Sequence, residues 1–256
     1  MPYAPYPRVH SLPIGLRVLL VLLPLCSYFV ARMPIDERYA IVSNLSIVGF
    51  ALPSYVAAVR WLGPRRAAAL IGALSLFAVC VEALSITTGF PYGRFTYSEV
   101  IGTRVGGLVP WTVPFAWAPL VLGVTYLARR LHPRPGVARV GIGASLLLLL
   151  DLMLDPAAVR LGFWAWEASS AYYGIPLSNF AGWLLTGVVG CLAADFAARD
   201  RPAPPPPQLA HSLLLISAFW AGACAWLGFV IPTLCGAHCT ILTLYLVLRH
   251  PPTGAS

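Results

Sequence analysis

Long uninterrupted apolar runs are the feature of this sequence that most restricts its fold. Eight of them follow one another, 15 to 22 residues long, and a helix needs roughly 20 to cross a bilayer. The runs are Ile14–Val30, Ala40–Val59, Ala67–Thr88, Leu108–Ala128, Val140–Leu154, Ser178–Ala197, Leu209–Phe229 and Pro232–Leu248. The last two are separate spans only if the chain turns around Val230–Cys235, with Pro232 as the breaker. We therefore predict an all-α, polytopic membrane protein with about eight transmembrane helices, seven being possible.

Composition excludes a water-soluble domain of ordinary kind. Of the 256 residues, 59% are hydrophobic and only 10% are charged, whereas a soluble domain has far more charge. The runs and their short connections use up the chain, so residues 1–256 are expected to form a single transmembrane domain.

The basic residues predict an orientation in the membrane. The formal net charge is +8 and all 17 basic residues are arginine, but they lie singly or in pairs between apolar runs, which does not favour nucleic acid binding. A cytoplasmic N-terminus puts twelve arginines on the cytoplasmic side and five on the other, as the positive-inside rule prefers. We expect a multi-pass protein of the cell (inner) membrane with both termini cytoplasmic, and with a stiff proline-rich cytoplasmic connector at residues 199–208.

The same orientation places the two longest connections, residues 89–107 and 156–177, on the outer face. Both are rich in aromatic residues and glycine, with few charges. Long structured loops are where binding and catalytic residues concentrate. These outer loops are therefore the first place to look for a functional site.

Three carboxyl groups inside apolar runs are the candidate catalytic residues. Glu82 lies about six residues before the outer end of the third run, and Asp151 and Asp155 are spaced i, i+4, so that they share one helix face. Ionisable groups inside a membrane are costly and typical of functional sites. For Asp155 a second interpretation stands: it precedes Pro156 and ends the helix by binding nearby amides in a turn.

Other polar residues in the runs have simpler interpretations. Asp195 is expected to pair with Arg199 at i+4, as a helix-end ion pair. The segment Cys235-Gly-Ala-His238-Cys239 lacks the spacings of zinc sites, so no metal is predicted. Nucleotide-binding and nucleophile-elbow motifs are missing, and the chain has no lysine for a Walker A sequence.

The loop motifs resemble the integral-membrane carotenoid hydratase family of bacteria and archaea, which includes the gamma-carotene 1′,2′-hydratase and bisanhydrobacterioruberin hydratase types. The resemblance covers roughly Glu82 to Trp183. It is carried by Glu82, Gly89-Phe-Pro-Tyr-Gly-Arg94, Asp151-x-x-x-Asp155-Pro156, Trp164-x-Trp166, Tyr172-Tyr173-Gly174-Ile-Pro176 and Asn179. It implies a hydro-lyase of carotenoid biosynthesis that adds water across the terminal C1,C2 double bond of an acyclic carotenoid end, with the bilayer, a polyene and other enzymes of the pathway as partners.

The chemistry of that reaction suits the residues. Protonation at C2 gives a tertiary cation at C1 that water captures, with no redox change and no cofactor. A carboxylic acid kept neutral by burial, Glu82 or Asp151, can supply the proton while a partner carboxylate positions the water. Aromatic faces can stabilise the cation. The candidate substrate-binding residues are Phe90, Tyr92, Arg94, Trp164, Trp166, Tyr172, Tyr173 and Asn179.

Alternative interpretations remain open for several of these residues. Some aromatic residues, including Trp111 and Trp117, fit the aromatic belt of a membrane interface, and Arg94 either pairs with a carboxylate or anchors to lipid phosphate. The pair Asp151 and Asp155 also fits a prenyltransferase that holds Mg²⁺ and an isoprenyl diphosphate, although a second acidic cluster is missing. A non-enzymatic transporter or scaffold is the third possibility.

Overall fold

The computed structural model describes residues 11–36, 38, 40–168, 170–201 and 204–249. The chain termini, which are predicted to be cytoplasmic, and residues 202–203 of the proline-rich connector lie outside the described part. Within it the chain forms eight α-helices, which confirms the all-α prediction. They are α1 (Ile14–Arg32), α2 (Ala40–Leu62), α3 (Pro64–Thr88), α4 (Val113–Leu131), α5 (Val137–Arg160), α6 (Leu177–Ala197), α7 (His211–Leu227) and α8 (Val230–Leu248).

Seven of these helices are long and apolar enough to cross a membrane, and α4 is the exception. Two arginines in its last turn, Arg129 and Arg130, lower its apolarity, and all residues from Trp117 to Ala128 are buried. Helices α2, α3, α5, α6 and α7 all contact α4. Small residues allow other helices to approach α4 closely. If Gly190 of α6 carried a Cβ atom, that atom would lie only 2.9 Å from the Trp117 ring, which is too close. Thus α4 is the centre of the bundle.

Two helix ends differ from the sequence prediction. Helix α5 continues through Pro156 to Arg160, so the interpretation in which Asp155 ends the helix is wrong. The chain turns between α7 and α8 at Gly228, which has a left-handed φ of 79°, and not around residues 230–235. Pro232 is accommodated in the first turn of α8, where its missing N–H costs no helical hydrogen bond.

Short strands join the two long loops, a feature that was not predicted from the sequence. Strand β1 (Phe95–Tyr97) and strand β4 (Trp164–Trp166) pair antiparallel, with Tyr97 opposite Trp164 and Phe95 opposite Trp166. We call this pair the aromatic ribbon. A second small pair is formed by β2 (Arg104–Val105) and β3 (Val109–Pro110). The connections α3–α4 and α5–α6 therefore meet at one end of the bundle, here called the ribbon end.

The opposite end, here called the arginine end, is held by ion pairs between helices. Asp195 of α6 binds Arg129 of α4 at 3.0 Å and Arg139 of α5 at 2.7 Å. The predicted pair of Asp195 with Arg199 is wrong, because α6 ends at Ala197 and the Arg199 guanidinium packs over the Phe196 ring at 4.1 Å.

Candidate active site

Two aspartates form the buried centre of the site. The i, i+4 spacing on α5 places Asp151 and Asp155 one above the other, 0% and 3% exposed, with their carboxyl groups close enough to interact. Asn179 of α6, also buried, donates from its amide nitrogen to Oδ2 of Asp151 at 2.9 Å and to Oδ2 of Asp155 at 2.5 Å. Asn179 is therefore a donor that both aspartates share.

The protonation of this pair follows from its surroundings. No described arginine or histidine lies within 4.0 Å of either aspartate to compensate its charge. Two carboxylates in contact inside an apolar bundle cannot both stay ionised. The pair consequently holds at least one proton, and it can exchange protons with a neighbouring group.

Glu82 is the third carboxyl group, and it comes from α3. The Tyr97 hydroxyl donates a hydrogen bond to its Oε2 at 2.6 Å. Burial, followed by the nearby Glu82 charge, raises the pKa of the Tyr97 phenol well above its ordinary value of 10.0, so Tyr97 stays protonated and acts as the donor. Glu82 and Asp155 are near enough for their charges to interact, which places all three carboxyl groups in one site.

The aromatic ribbon positions donors for both parts of the site. Tyr97 and Trp164 face each other across the two strands, with ring centroids 5.8 Å apart. Tyr97 reaches Glu82, and the Trp164 indole lies within hydrogen-bonding reach of Asp155. One cross-strand pair thus links the α3 carboxyl group to the α5 carboxyl groups.

Tyr92 fills the space behind the carboxyl groups. Its ring packs so closely on α6 that a Cβ atom added at Gly182 would lie only 2.5 Å from a ring carbon. Its hydroxyl donates a hydrogen bond to Thr186 Oγ1 at 3.1 Å. Its carbonyl accepts a hydrogen bond from the Trp166 indole at 3.1 Å. Tyr92 is buried and interacts electrostatically with all three carboxyl groups. Its hydroxyl is nevertheless committed to Thr186.

Tyr172 compensates the proline in α5. Pro156 has no N–H, so the carbonyl of Leu152, four residues earlier, loses its helical partner. The Tyr172 hydroxyl donates to this carbonyl at 2.7 Å. Tyr173, in the left-handed region at φ 51°, packs against Phe229 with ring centroids 4.6 Å apart and the ring planes tilted by 49°. The two tyrosines therefore form an aromatic wall beside α5.

Three predicted or discussed residues form no hydrogen bond or ion pair with the carboxyl groups in the described part of the chain. Phe90 is 60% exposed. Arg94 is exposed and has no described carboxylate within 4.0 Å, so the ion pair considered for it is not formed in the described part of the chain. Trp117 is only 6% exposed, inside the bundle, and its assignment to an interfacial belt is wrong.

Tyr97 and Ser85 are two site residues that were not predicted from the sequence. Ser85 Oγ lies one turn after Glu82, accepts from the backbone N–H of Tyr92 and donates to the carbonyl of Gly93, both at 3.0 Å. The matching aromatic-x-aromatic spacing of residues 95–97 and 164–166 is typical of cross-strand pairs and is the signal that points to Tyr97. Among the described residues, no three His, Cys, Asp or Glu side chains are grouped to hold a metal ion.

Comparison with known proteins agrees with the resemblance of the loop motifs. The carotenoid biosynthesis protein family matches residues 40–243, well over half of the chain. Bisanhydrobacterioruberin hydratase of Haloarcula japonica is 36% identical over 193 residues, which are 71% of this chain and 66% of that relative. The match therefore spans slightly less than two thirds of the relative's length.

No solved structure matches the chain. Sequence comparison thus carries the assignment, and the matched segment contains every carboxyl group of the candidate site and both strands of the aromatic ribbon. The chain is a homologue of a carotenoid hydratase and belongs to the carotenoid biosynthesis protein family.

Proposed function

We propose that this protein is a membrane hydratase that adds water across the terminal C1,C2 double bond of an acyclic carotenoid end, giving a tertiary alcohol. The observation that carries this proposal is the group of three buried or partly buried carboxyl groups, two of them in contact, inside an apolar helix bundle. Its similarity to bisanhydrobacterioruberin hydratase supports the same reaction class.

The reaction needs an acid and a base in one dry site. A carboxylic acid gives its proton to C2, the double-bond electrons form the new C2–H bond, and C1 becomes a tertiary cation. Water adds its oxygen to C1 and gives up a proton to a carboxylate. The sum is one water added and no change in the protonation of the protein, so neither an oxidant nor a cofactor is required.

Aromatic side chains around the carboxyl groups suit the cation. Trp164 lies at Asp155, and Tyr97 and Tyr92 lie near Glu82. A cation over a desolvated aromatic face is stabilised by roughly 0.5–2 kcal/mol per ring. The wall formed by Tyr172 and Tyr173 extends this surface along α5, where a rod-like polyene can lie. In this proposal the substrate enters from the bilayer.

Pigment analysis tests the proposal directly. The full chain is expressed in cells that accumulate lycopene or gamma-carotene, and the pigments are separated by polarity and identified by mass. We expect a new pigment that is heavier than its precursor by one water. Unchanged pigments, with the protein verified in the membrane, would contradict a hydratase, and incorporation of labelled isoprenyl diphosphate dependent on Mg²⁺ would favour a prenyltransferase.

Conservative variants of the carboxyl groups are the second test. We expect Glu82→Gln and Asp151→Asn each to abolish hydration while the protein still inserts, because an amide neither gives a proton to an alkene nor accepts one from water. The matched control is Asp200→Asn, an exposed aspartate at the arginine end. Normal product formation in both site variants would remove these groups from the mechanism.

A further inference from the structure

One carboxyl oxygen in the site has no partner. Asp151 is 0% exposed, its Oδ2 accepts from Asn179, and its Oδ1 is enclosed without any hydrogen bond. A buried carboxyl oxygen needs a donor or an acceptor in either protonation state, since leaving it unpaired is costly. This oxygen is therefore a position where a small polar molecule can bind and supply the missing hydrogen bond.

We propose that Asp151 Oδ1 binds the water molecule that hydrates the substrate and takes its proton, whereas Glu82 is the acid that protonates the alkene. This assignment rests on the proposed function and divides the roles among the three carboxyl groups. Asn179 is a positioning residue, because its two N–H groups hold Oδ2 of both aspartates and so leave Oδ1 as the free oxygen.

The positions of the carboxyl groups favour this division. Glu82 keeps some exposed surface on α3, so a polyene in the bilayer can approach it, whereas Asp151 is completely enclosed. Tyr97 occupies Oε2 of Glu82, which leaves Oε1 for the substrate. An acid at the substrate side and a water held behind it deliver the proton and the oxygen from different directions.

The protonation balance closes through Asp155. Glu82 loses its proton to C2, and Asp151 gains one from the water as the C1–O bond forms. Asp155 contacts Asp151 and lies near enough to Glu82 for their charges to interact. Proton transfer from Asp151 by way of Asp155 returns Glu82 to its acid form. The cycle consumes one water and one alkene and leaves the protein unchanged.

Turnover in D₂O distinguishes the two roles. With the wild-type protein, we expect the alcohol to carry deuterium at C2. In Asp151→Asn, Glu82 still protonates the alkene, but the cation is not captured and loses a proton instead. We expect hydration to fall by about 100-fold or more, the range of a lost general base. The recovered alkene should carry deuterium at C2. This holds whether the cation loses a proton from C2, which restores the original double bond, or from a methyl group, which moves the double bond. Glu82→Gln should show neither hydration nor exchange.

The outcomes separate this assignment from the proposed function. Hydration by the wild-type protein together with normal hydration by Asp151→Asn would overturn the water site. So would a folded Asp151→Asn that neither hydrates nor exchanges, while the hydratase proposal would stand in both cases. If Asp151→Asn does not fold, an experimental structure of the wild-type protein that shows ordered waters decides. A water within about 3.2 Å of Asp151 Oδ1 supports the proposal and its absence there overturns it.

Discussion

Tyr97 is the single residue whose contact most directly affects a carboxyl group of the site. Its hydroxyl donates to Glu82 at 2.6 Å, short enough for a hydrogen bond that becomes charge-assisted once Glu82 is ionised. Such bonds contribute about 1.5–3 kcal/mol. After Glu82 gives up its proton, this bond stabilises the resulting carboxylate, so Tyr97 favours the proton transfer.

We therefore predict that Tyr97→Phe slows hydration by roughly 10- to 100-fold, the rate equivalent of that hydrogen bond. The measurement is product formed per folded protein in membranes supplied with substrate. The matched control is Tyr55→Phe, which loses a hydrogen bond to the carbonyl of Pro114 at 2.8 Å and contacts none of the three carboxyl groups. Equal rates for the two variants would show that the Tyr97 hydroxyl has no part in the reaction.

The sequence reveals the carboxyl groups more directly than it reveals their partners. Glu82, Asp151 and Asp155 stand out because a charge is unexpected in an apolar run, so the physical cost itself reveals them. Tyr97 lies in a loop among other aromatic residues, and its contact with Glu82 depends on a strand that pairs with a segment about 70 residues later. No local pattern encodes that distance.

At the level of elements, the aromatic ribbon decides whether the two halves of the site meet. Its register places Thr96 directly opposite Ala165, and both are exposed. Opposite residues of an antiparallel pair have Cα atoms about 4.5–5.5 Å apart, which is within the range of a disulfide. The ribbon can therefore be locked without touching the carboxyl groups.

We predict that the double variant Thr96→Cys and Ala165→Cys forms a disulfide on mild oxidation and keeps its hydration activity. Mass analysis of peptides from the oxidised and the reduced protein detects the cross-link. Each single variant is the control, because the native cysteines all lie in helices and not in the two strands. A double variant that stays reduced would contradict the register.

The ion triad at the arginine end fixes α4 against α5 and α6. The side chains of Arg129, Arg139 and Asp195 are 13%, 7% and 17% exposed. Removing the acid leaves two arginines close together without compensation, and breaking a buried pair in this way costs about 3–5 kcal/mol. The i+4 spacing of Asp195 and Arg199 predicted a local pair instead. Sequence spacing shows neither that α6 ends before Arg199 nor that α4 and α5 bring arginines to Asp195.

We expect Asp195→Asn to destabilise the purified protein by about 3 kcal/mol, the lower end of that range, since the triad is not fully enclosed. The measurement is thermal unfolding in detergent. The control is Asp200→Asn: this carboxylate is 59% exposed and its ion pairs are 3.5 Å long, so its loss should cost less than about 1 kcal/mol. Similar melting temperatures for the two variants would mean that the triad does not stabilise the bundle.

For the whole molecule, the apolar runs predict the helices well, because a segment that crosses hydrocarbon must satisfy its backbone internally. They predict helix ends less well. Pro156 lies inside α5 because Tyr172 compensates it, and Pro232 lies inside α8 because the turn is made earlier, at Gly228. In both cases the deciding contact or backbone conformation is outside the run, so apolarity alone marks the wrong boundary.

The uneven distribution of arginine predicts which end of the molecule faces the cytoplasm. Contacts at the arginine end include Arg66 with Asp200 and Arg130 with the carbonyl of Arg249, whereas the ribbon end contains few arginines. Arginine is retained on the cytoplasmic side during insertion. The arginine end should consequently face the cytoplasm and the candidate active site should lie near the opposite surface.

Labelling of single added cysteines tests this orientation. Val105, exposed at the ribbon end, and Arg134, exposed in the α4–α5 connection at the arginine end, are each replaced by cysteine. We expect a membrane-impermeant maleimide to label Val105→Cys in intact cells, and Arg134→Cys only after the cells are opened. The unmodified chain gives the background, which should be low because thiols in an apolar environment react slowly. The reverse labelling pattern would place the arginines outside and the carboxyl groups near the cytoplasm, so that the hydrated end of the carotenoid would emerge at the cytoplasmic surface.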